Sequence, residues 1–165
     1  MPTEVMAGDT RTISMGAAEF RILFLGRAHT GGDLSVYQPK QKVLFMSEAY
    51  LNRVFPAMRS AYPSEWVEVL RKAERMDVDV YVPGDGFVEE ARVSREELVE
   101  YRTALETVIA EVTRLHAAKV PVEDAIARAD FGPCSTWTLH ASQRPIAILK
   151  IYEELDGRLP KPARR

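Results

Sequence analysis

Hydrophobic positions along this chain follow two periods, and the switch between them organises the rest. From Arg11 to Met15 apolar and polar residues alternate, with Ile13 and Met15 on one face, and Phe20, Ile22 and Phe24 alternate more clearly. A period of two is that of a half-buried strand. The two runs meet at Gly16-Ala-Ala, which predicts a turn. A second hairpin is expected from Leu34 to Tyr37 and Val43 to Met46, turning through Gln38-Pro-Lys-Gln. Val43-Leu-Phe-Met has no polar alternation, so burial on both faces is expected of it.

After Pro63 the period lengthens. Trp66, Val69, Leu70 and Ala73 recur at i, i+3, i+4 and i+7, one face of a helix. Val78 to Val82 returns briefly to a strand and stops at Pro83-Gly-Asp-Gly86. Ser94 with Glu97 has the spacing of a capping box, which predicts the start of a long helix. Its apolar stripe is Leu98, Tyr101, Leu105, Val108, Val112 and Leu115, ending near Ala118. Val122, Ala125, Ile126 and Ala129 predict a shorter helix, and Ile148, Ile151, Tyr152 and Leu155 a last one. With no repeat, low-complexity tract or composition break, residues 1–165 are expected to form one α+β domain, with 160–165 as a basic tail.

Composition narrows the function classes. The 165 residues are 46% hydrophobic, with 22 basic and 24 acidic side chains. A formal charge of −2 gives no reason to expect nucleic acid or an anionic membrane as partner. No apolar run approaches the roughly 20 residues that span a bilayer, and the N-terminus lacks the pattern of a signal peptide. The one cysteine, Cys134, allows no internal disulfide, so a reducing compartment and a cytoplasmic location are expected.

Candidate chemistry concentrates in His29-Thr-Gly-Gly-Asp33, between two hydrophobic runs. It puts an imidazole at a strand end, where a loop can present it to a metal. The glycines let the backbone turn. The other two histidines are not spaced to help. Asp33 and Thr30 are expected to fix the loop by hydrogen bonds. His116 ends the long helix, where a cation complements the dipole. His140 lies near Cys134 in a segment expected to be a packed loop with a buried thiol. A Cys-His couple has no base-orienting partner there. Tyr50, Phe55, Met58, Tyr62 and Trp66 either line a substrate cleft or pack their segment onto the sheet.

Three segments together resemble the second half of a metallo-β-lactamase-fold hydrolase: Gly26-Arg-Ala-His-Thr-Gly-Gly-Asp33, Lys42-Val-Leu-Phe-Met-Ser-Glu48 and Val82-Pro-Gly-Asp-Gly86. Their order and the elements between them match, as do the C-terminal helices ending Ile151-Tyr-Glu-Glu-Leu155. The resemblance covers roughly Arg11 to Leu159. It implies half of an αββα sandwich, one sheet with helices on one face. The family's His-x-His-x-Asp-His loop, which supplies most metal ligands, is not in this sequence, and the short segment before Arg11 leaves no room for it.

By this resemblance His29 matches the family's single second-half histidine ligand. Glu48 stands where an aspartate commonly bridges two metals, after Ser47 in place of the usual glycine. Asp85 stands where a Gly-His-Gly loop presents a histidine. The implied ligand set is thus His29, Glu48 and Asp85, with Thr30 and Asp33 supporting it and Tyr50, Phe55 and Trp66 in the cleft. The implied cofactor is Zn, with Mn or Fe as alternatives for carboxylate-rich donors, or none. The implied chemistry is hydrolysis of an ester, thioester or lactam by a metal-activated water.

A half-sandwich leaves one sheet face without its partner sheet, which sits about 10 Å away in such folds. Ile13, Met15, Phe20, Ile22, Phe24, Val43 and Phe45 are the candidates for that face, a patch of roughly several hundred Å², more than soluble monomers usually expose. A homodimer would cover it and bring two copies of His29, Glu48 and Asp85 together, the single chain being weakly active or inactive. The alternatives are a separately encoded first half that completes a split enzyme, a metal-free binding or scaffold protein, and a fragment of a longer gene product.

Overall fold

Residues 6–161 are described by a computed structural model. Residues 162–165, most of the predicted basic tail, lie outside the described residues. Five strands form one mixed sheet in sequence order: β1 (Thr10–Met15), β2 (Ala18–Leu23), β3 (Ser35–Gln38), β4 (Val43–Phe45) and β5 (Val80–Val82). The first four pair antiparallel, and β5 joins β4 in parallel. Four helices follow the strands or interrupt them: α1 (Pro63–Glu74), α2 (Ala91–Ala117), α3 (Val122–Arg128) and α4 (His140–Leu155). This is an α+β architecture. No helix among the described residues is long and apolar enough to cross a membrane.

The register assigns the two faces. Tyr37, Leu44 and Tyr81 are cross-strand partners and are buried beneath the helices. The predicted stripes supply the other side of that core: Trp66, Val69, Leu70 and Ala73 from α1, and Leu98, Tyr101, Leu105, Val108, Val112 and Leu115 from α2. Ile148, Ile151 and Tyr152 of α4 complete it. The opposite face carries the row Ile22, Val36, Phe45 and Val82, with Ile13 beside Phe20. None of these six is buried, and Ile13 and Phe45 are 37% and 43% exposed. No described element covers them.

Two expectations are corrected. The run Val43 to Met46 is not buried on both faces: Leu44 is inaccessible while its neighbour Phe45 faces outward. Its continuous hydrophobicity reflects one face packed on helices and one left bare. Nor do Ser94 and Glu97 form a capping box. α2 starts at Ala91, and its first backbone bonds run from Val93 and Ser94 N–H to the Glu90 carbonyl. Ser94 lies one turn inside, fully buried, and its Oγ accepts the Tyr81 N–H at 2.8 Å. It satisfies the outer edge of β5, where an unpaired buried amide would cost about 1–3 kcal/mol.

Candidate functional site

The three predicted motifs all leave the sheet through loops. The first, after β2, turns at Gly26, where φ is +141° and a Cβ would meet Val69 Cγ2 at 2.9 Å. Asp33 organises the rest of this loop: its carboxylate accepts the Thr30 N–H at 2.7 Å and the Thr30 hydroxyl at 2.8 Å, and Thr30 Oγ1 accepts the Gly32 N–H. The Ala28 carbonyl accepts the Tyr62 N–H, tying the loop to the start of α1. His29 is thereby set edge-on to Trp66, ring centroids 5.9 Å apart. Its Nδ1 is shut off from solvent and has no hydrogen-bond partner.

The second and third motifs run side by side. Met46 N–H donates to Val82 O, Gly84 N–H to Tyr50 O, and Asn52 N–H to Asp85 O, all at 2.9–3.0 Å. The approach is backbone on backbone. A Cβ on Gly84 would lie 2.6 Å from the Ser47 carbonyl, and one on Gly86, at φ +94°, would lie 2.1 Å from Asn52 O. Only glycine fits either position. Ser47 has φ +50°, the left-handed region that favours glycine. Glu48 follows in a single turn of 3-10 helix, and Trp66 Nε1–H donates to Ala49 O at 2.8 Å. Trp66 therefore touches both the His29 loop and the Glu48 turn.

Asp85 is exposed, and its Oδ1 accepts the Gly86 N–H at 2.8 Å. Among the described residues no three His, Cys, Asp or Glu side chains form a group that could hold a metal ion. Within one chain, then, the loops of Glu48 and Asp85 meet through their backbones, but His29, Glu48 and Asp85 do not make a three-ligand set. The donors among the described residues do not group into a complete metal site, and the buried His29 Nδ1 has no partner.

Tyr50, Phe55 and Trp66 are 1%, 0% and 0% exposed. In this chain they are core, not the walls of an open cleft: Tyr50 and Trp66 pack against Tyr101 of α2, and Phe55 against Phe131 and His140. Met58 is equally buried. Tyr62 is half-buried beneath the Arg27 guanidinium, 3.7 Å from its ring centroid. Arg27 also pairs with Glu65 and donates to Pro160 O.

One polar group beside the site has no sequence signal. Tyr101, on the α2 stripe, has a fully buried hydroxyl with no hydrogen-bond partner. Burial first, then the charge of Glu48 and the neighbouring Tyr50, hold its pKa well above the ordinary tyrosine value. It is a neutral phenol with an unused donor in the field of the Glu48 carboxylate. Its spacing on the helix reads only as core.

The remaining histidines lie elsewhere. His116 Nε2 is 2.8 Å from Asp156 Oδ1, joining the ends of α2 and α4. His140 is not in a loop: it opens α4, its ring edge-on to Phe55 and Phe131. Cys134 is buried, its thiol donating to Phe131 O, and burial pushes its pKa up to about 11.

Solved structures share this arrangement. A metallo-β-lactamase from Pontibacter korlensis superposes with a TM-score of 0.56 at 22% identity, over 64% of this chain and 49% of that one. The DIM-1 metallo-β-lactamase gives 0.51 at 20% identity, over 61% and 46%. The chain carries the metallo-β-lactamase fold. The sec-alkylsulfatase Pisa1 from Pseudomonas sp. matches with a TM-score of 0.73 at 12% identity, over 98% of this chain and 29% of that one. In sequence, "2,4-dinitroanisole O-demethylase subunit alpha" of Nocardioides sp. (strain JS1661) is 26% identical over 83 residues, 50% of this chain and 25% of that protein. No family model matches. This metallo-β-lactamase-fold chain thus spans about half, or less, of the length of the proteins it resembles.

Proposed function

We propose that this chain is a hydrolase-related protein of the metallo-β-lactamase fold that acts as a homodimer, a second copy covering the bare face of its sheet. A single chain has little or no hydrolytic activity. The observation that carries the reading is the uncovered row Ile22, Val36, Phe45 and Val82, with Ile13 and Phe20 beside it. Removing that face from water would contribute about 25 cal/mol per Å², against the cost of association. An isologous pair uses the same patch twice, so one apolar face suffices. Each copy would bring His29, Glu48 and Asp85, and the substrate class is an ester, thioester or lactam. Sedimentation velocity at micromolar concentration tests the pairing: a dimer that Phe45→Asp converts to a folded monomer supports it, and a folded wild-type monomer refutes it.

A second reading has one observation in its favour. The sequence relative from Nocardioides is named as a subunit, and a separately encoded first half would close the same face and complete a split enzyme. A wild-type monomer that forms a stoichiometric complex with such a half would establish it. Metal analysis of protein purified without chelators separates both from a metal-free scaffold: stoichiometric zinc, manganese or iron, lost in His29→Ala, marks an enzyme.

A further inference from the structure

On the far side of α2, away from the sheet, a slot of about 340 Å³ opens between the helix and the Gly132–Thr136 turn. That is within the range of small-molecule sites, roughly 300–1,000 Å³. Phe131 and Trp137 form one wall, and Trp137 is held in place by stacking on Tyr101, centroids 6.1 Å apart and planes within 11°. The opposite wall is α2 itself, with Val99, Thr103 and Thr107.

The polar groups of these walls, apart from the Trp137 indole N–H, are already engaged. Thr103 Oγ1 donates to Val99 O and Thr107 Oγ1 to Thr103 O, both at 2.8 Å, so each hydroxyl is turned back on its own helix. The Cys134 thiol donates to Phe131 O at 3.0 Å. The lining therefore asks for an apolar body. The remaining polar lining is the Trp137 indole N–H and a pair of carboxylates one helical turn apart, Glu96 and Glu100. Glu100 is paired with Arg53, whose single positive charge is shared with Glu97. Glu96 has neither an ion pair nor a hydrogen bond among the described residues.

We infer that this slot binds a small amphipathic amine, its aromatic or alkyl body against Phe131 and Trp137 and its ammonium at Glu96. The site is independent of the sheet face and of the His29 loop, so it stands or falls apart from the dimer. An apolar slot alone would take a neutral ligand as readily. The unbalanced carboxylate is what selects a cation, by an amount typical of exposed ion pairs, about two- to five-fold.

The test uses three probes with one body: 4-phenylbutylamine, 4-phenylbutanol and 4-phenylbutyrate, titrated into the ¹⁵N-labelled full chain. The expected result is a saturable shift of the Trp137 indole N–H signal while that of the buried Trp66 stays fixed. The amine should bind about two- to five-fold tighter than the alcohol, and the carboxylate weakest. Glu96→Gln should remove the preference for the amine and leave alcohol binding unchanged. Thr103→Phe, which fills the slot from an exposed helix position, should weaken all three. No saturable shift, equal affinity for the three probes, or a preference that survives Glu96→Gln would overturn the inference. A thermal melt of each variant confirms folding.

Discussion

The two faces of the sheet are both apolar but are built by different rules. On the helix-covered face two tyrosines flank Leu44, and the polar tip of each is satisfied. Tyr37 donates its hydroxyl to Asp77 O at 2.7 Å and Tyr81 donates its own to Ala73 O at 3.1 Å. On the bare face the row Ile22, Val36, Phe45 and Val82 has no polar atom in its side chains, and Arg11, the β1 partner of Ile22, ends it with a charge. The difference teaches that burial within the chain was solved locally, with each of these hydroxyls given a backbone partner. The opposite face keeps an apolar row that is not fully buried among the described residues.

The sharpest way to break this comparison is to truncate adjacent residues of β4. Leu44→Ala should cost about 2–5 kcal/mol in urea unfolding, because a fully buried leucine leaves a cavity. Phe45→Ala, measured on dissociated chain, should cost less than about 1 kcal/mol. Equal losses would mean that the faces are equally packed and the distinction false.

A smaller effect is expected at the sheet edge on the covered side. Ser94→Ala should destabilise by about 1–3 kcal/mol by leaving the Tyr81 N–H unpaired. Hydrogen exchange at Tyr81 is the direct reading: protection lost there, with α2 amides unchanged, locates the cause. A loss of helix protection without change at Tyr81 would instead restore the capping role.

The next effect is one of pH. Burial first, and Arg144 second, lower the pKa of His140 below its ordinary value. A histidine kept neutral on folding contributes stability above its unfolded pKa of about 6.5, and loses it as the pH falls from there toward the lower folded value. The difference in melting temperature between wild type and His140→Phe should therefore shift in favour of the variant from pH 7.5 to pH 5. The bare-face row has no ionisable side chain to add a response in that window. Parallel curves would show that the ring is not held neutral.

The smallest effect on the dissociated chain is expected from Phe45→Asp, within about 0.5 kcal/mol, since the side chain is exposed before and after. In the paired state the same change buries a charge without a partner, and the concentration dependence of the melting temperature should disappear.

Much of this molecule is legible in its sequence. The alternation at Ile13, Phe20 and Ile22 and the stripe from Leu98 to Leu115 name the faces of a strand pair and a helix, because a period of two or of 3.6 is a local property of the backbone. The three motifs were enough to name the metallo-β-lactamase fold, which the solved structures share.

What only the tertiary structure decided are the pairings between distant segments. Ser94 has the spacing of a helix cap, yet its hydroxyl closes a strand 13 residues away in sequence, because the unsatisfied amide at the sheet edge needed an acceptor that water could not reach. Val43 to Met46 reads as buried throughout, since its residues are apolar on both faces whether or not the fold packs over them. Tyr101 counts as core by its spacing, while its hydroxyl lies in the field of Glu48. Tyr50, Phe55 and Trp66 fill the interior and not a cleft because Tyr101 of α2 packs on the first and third and Phe131 and His140 on the second. Periodicity fixes which side of an element is apolar; it holds no information about what that side meets, and polar atoms find their partners only when the whole chain has packed.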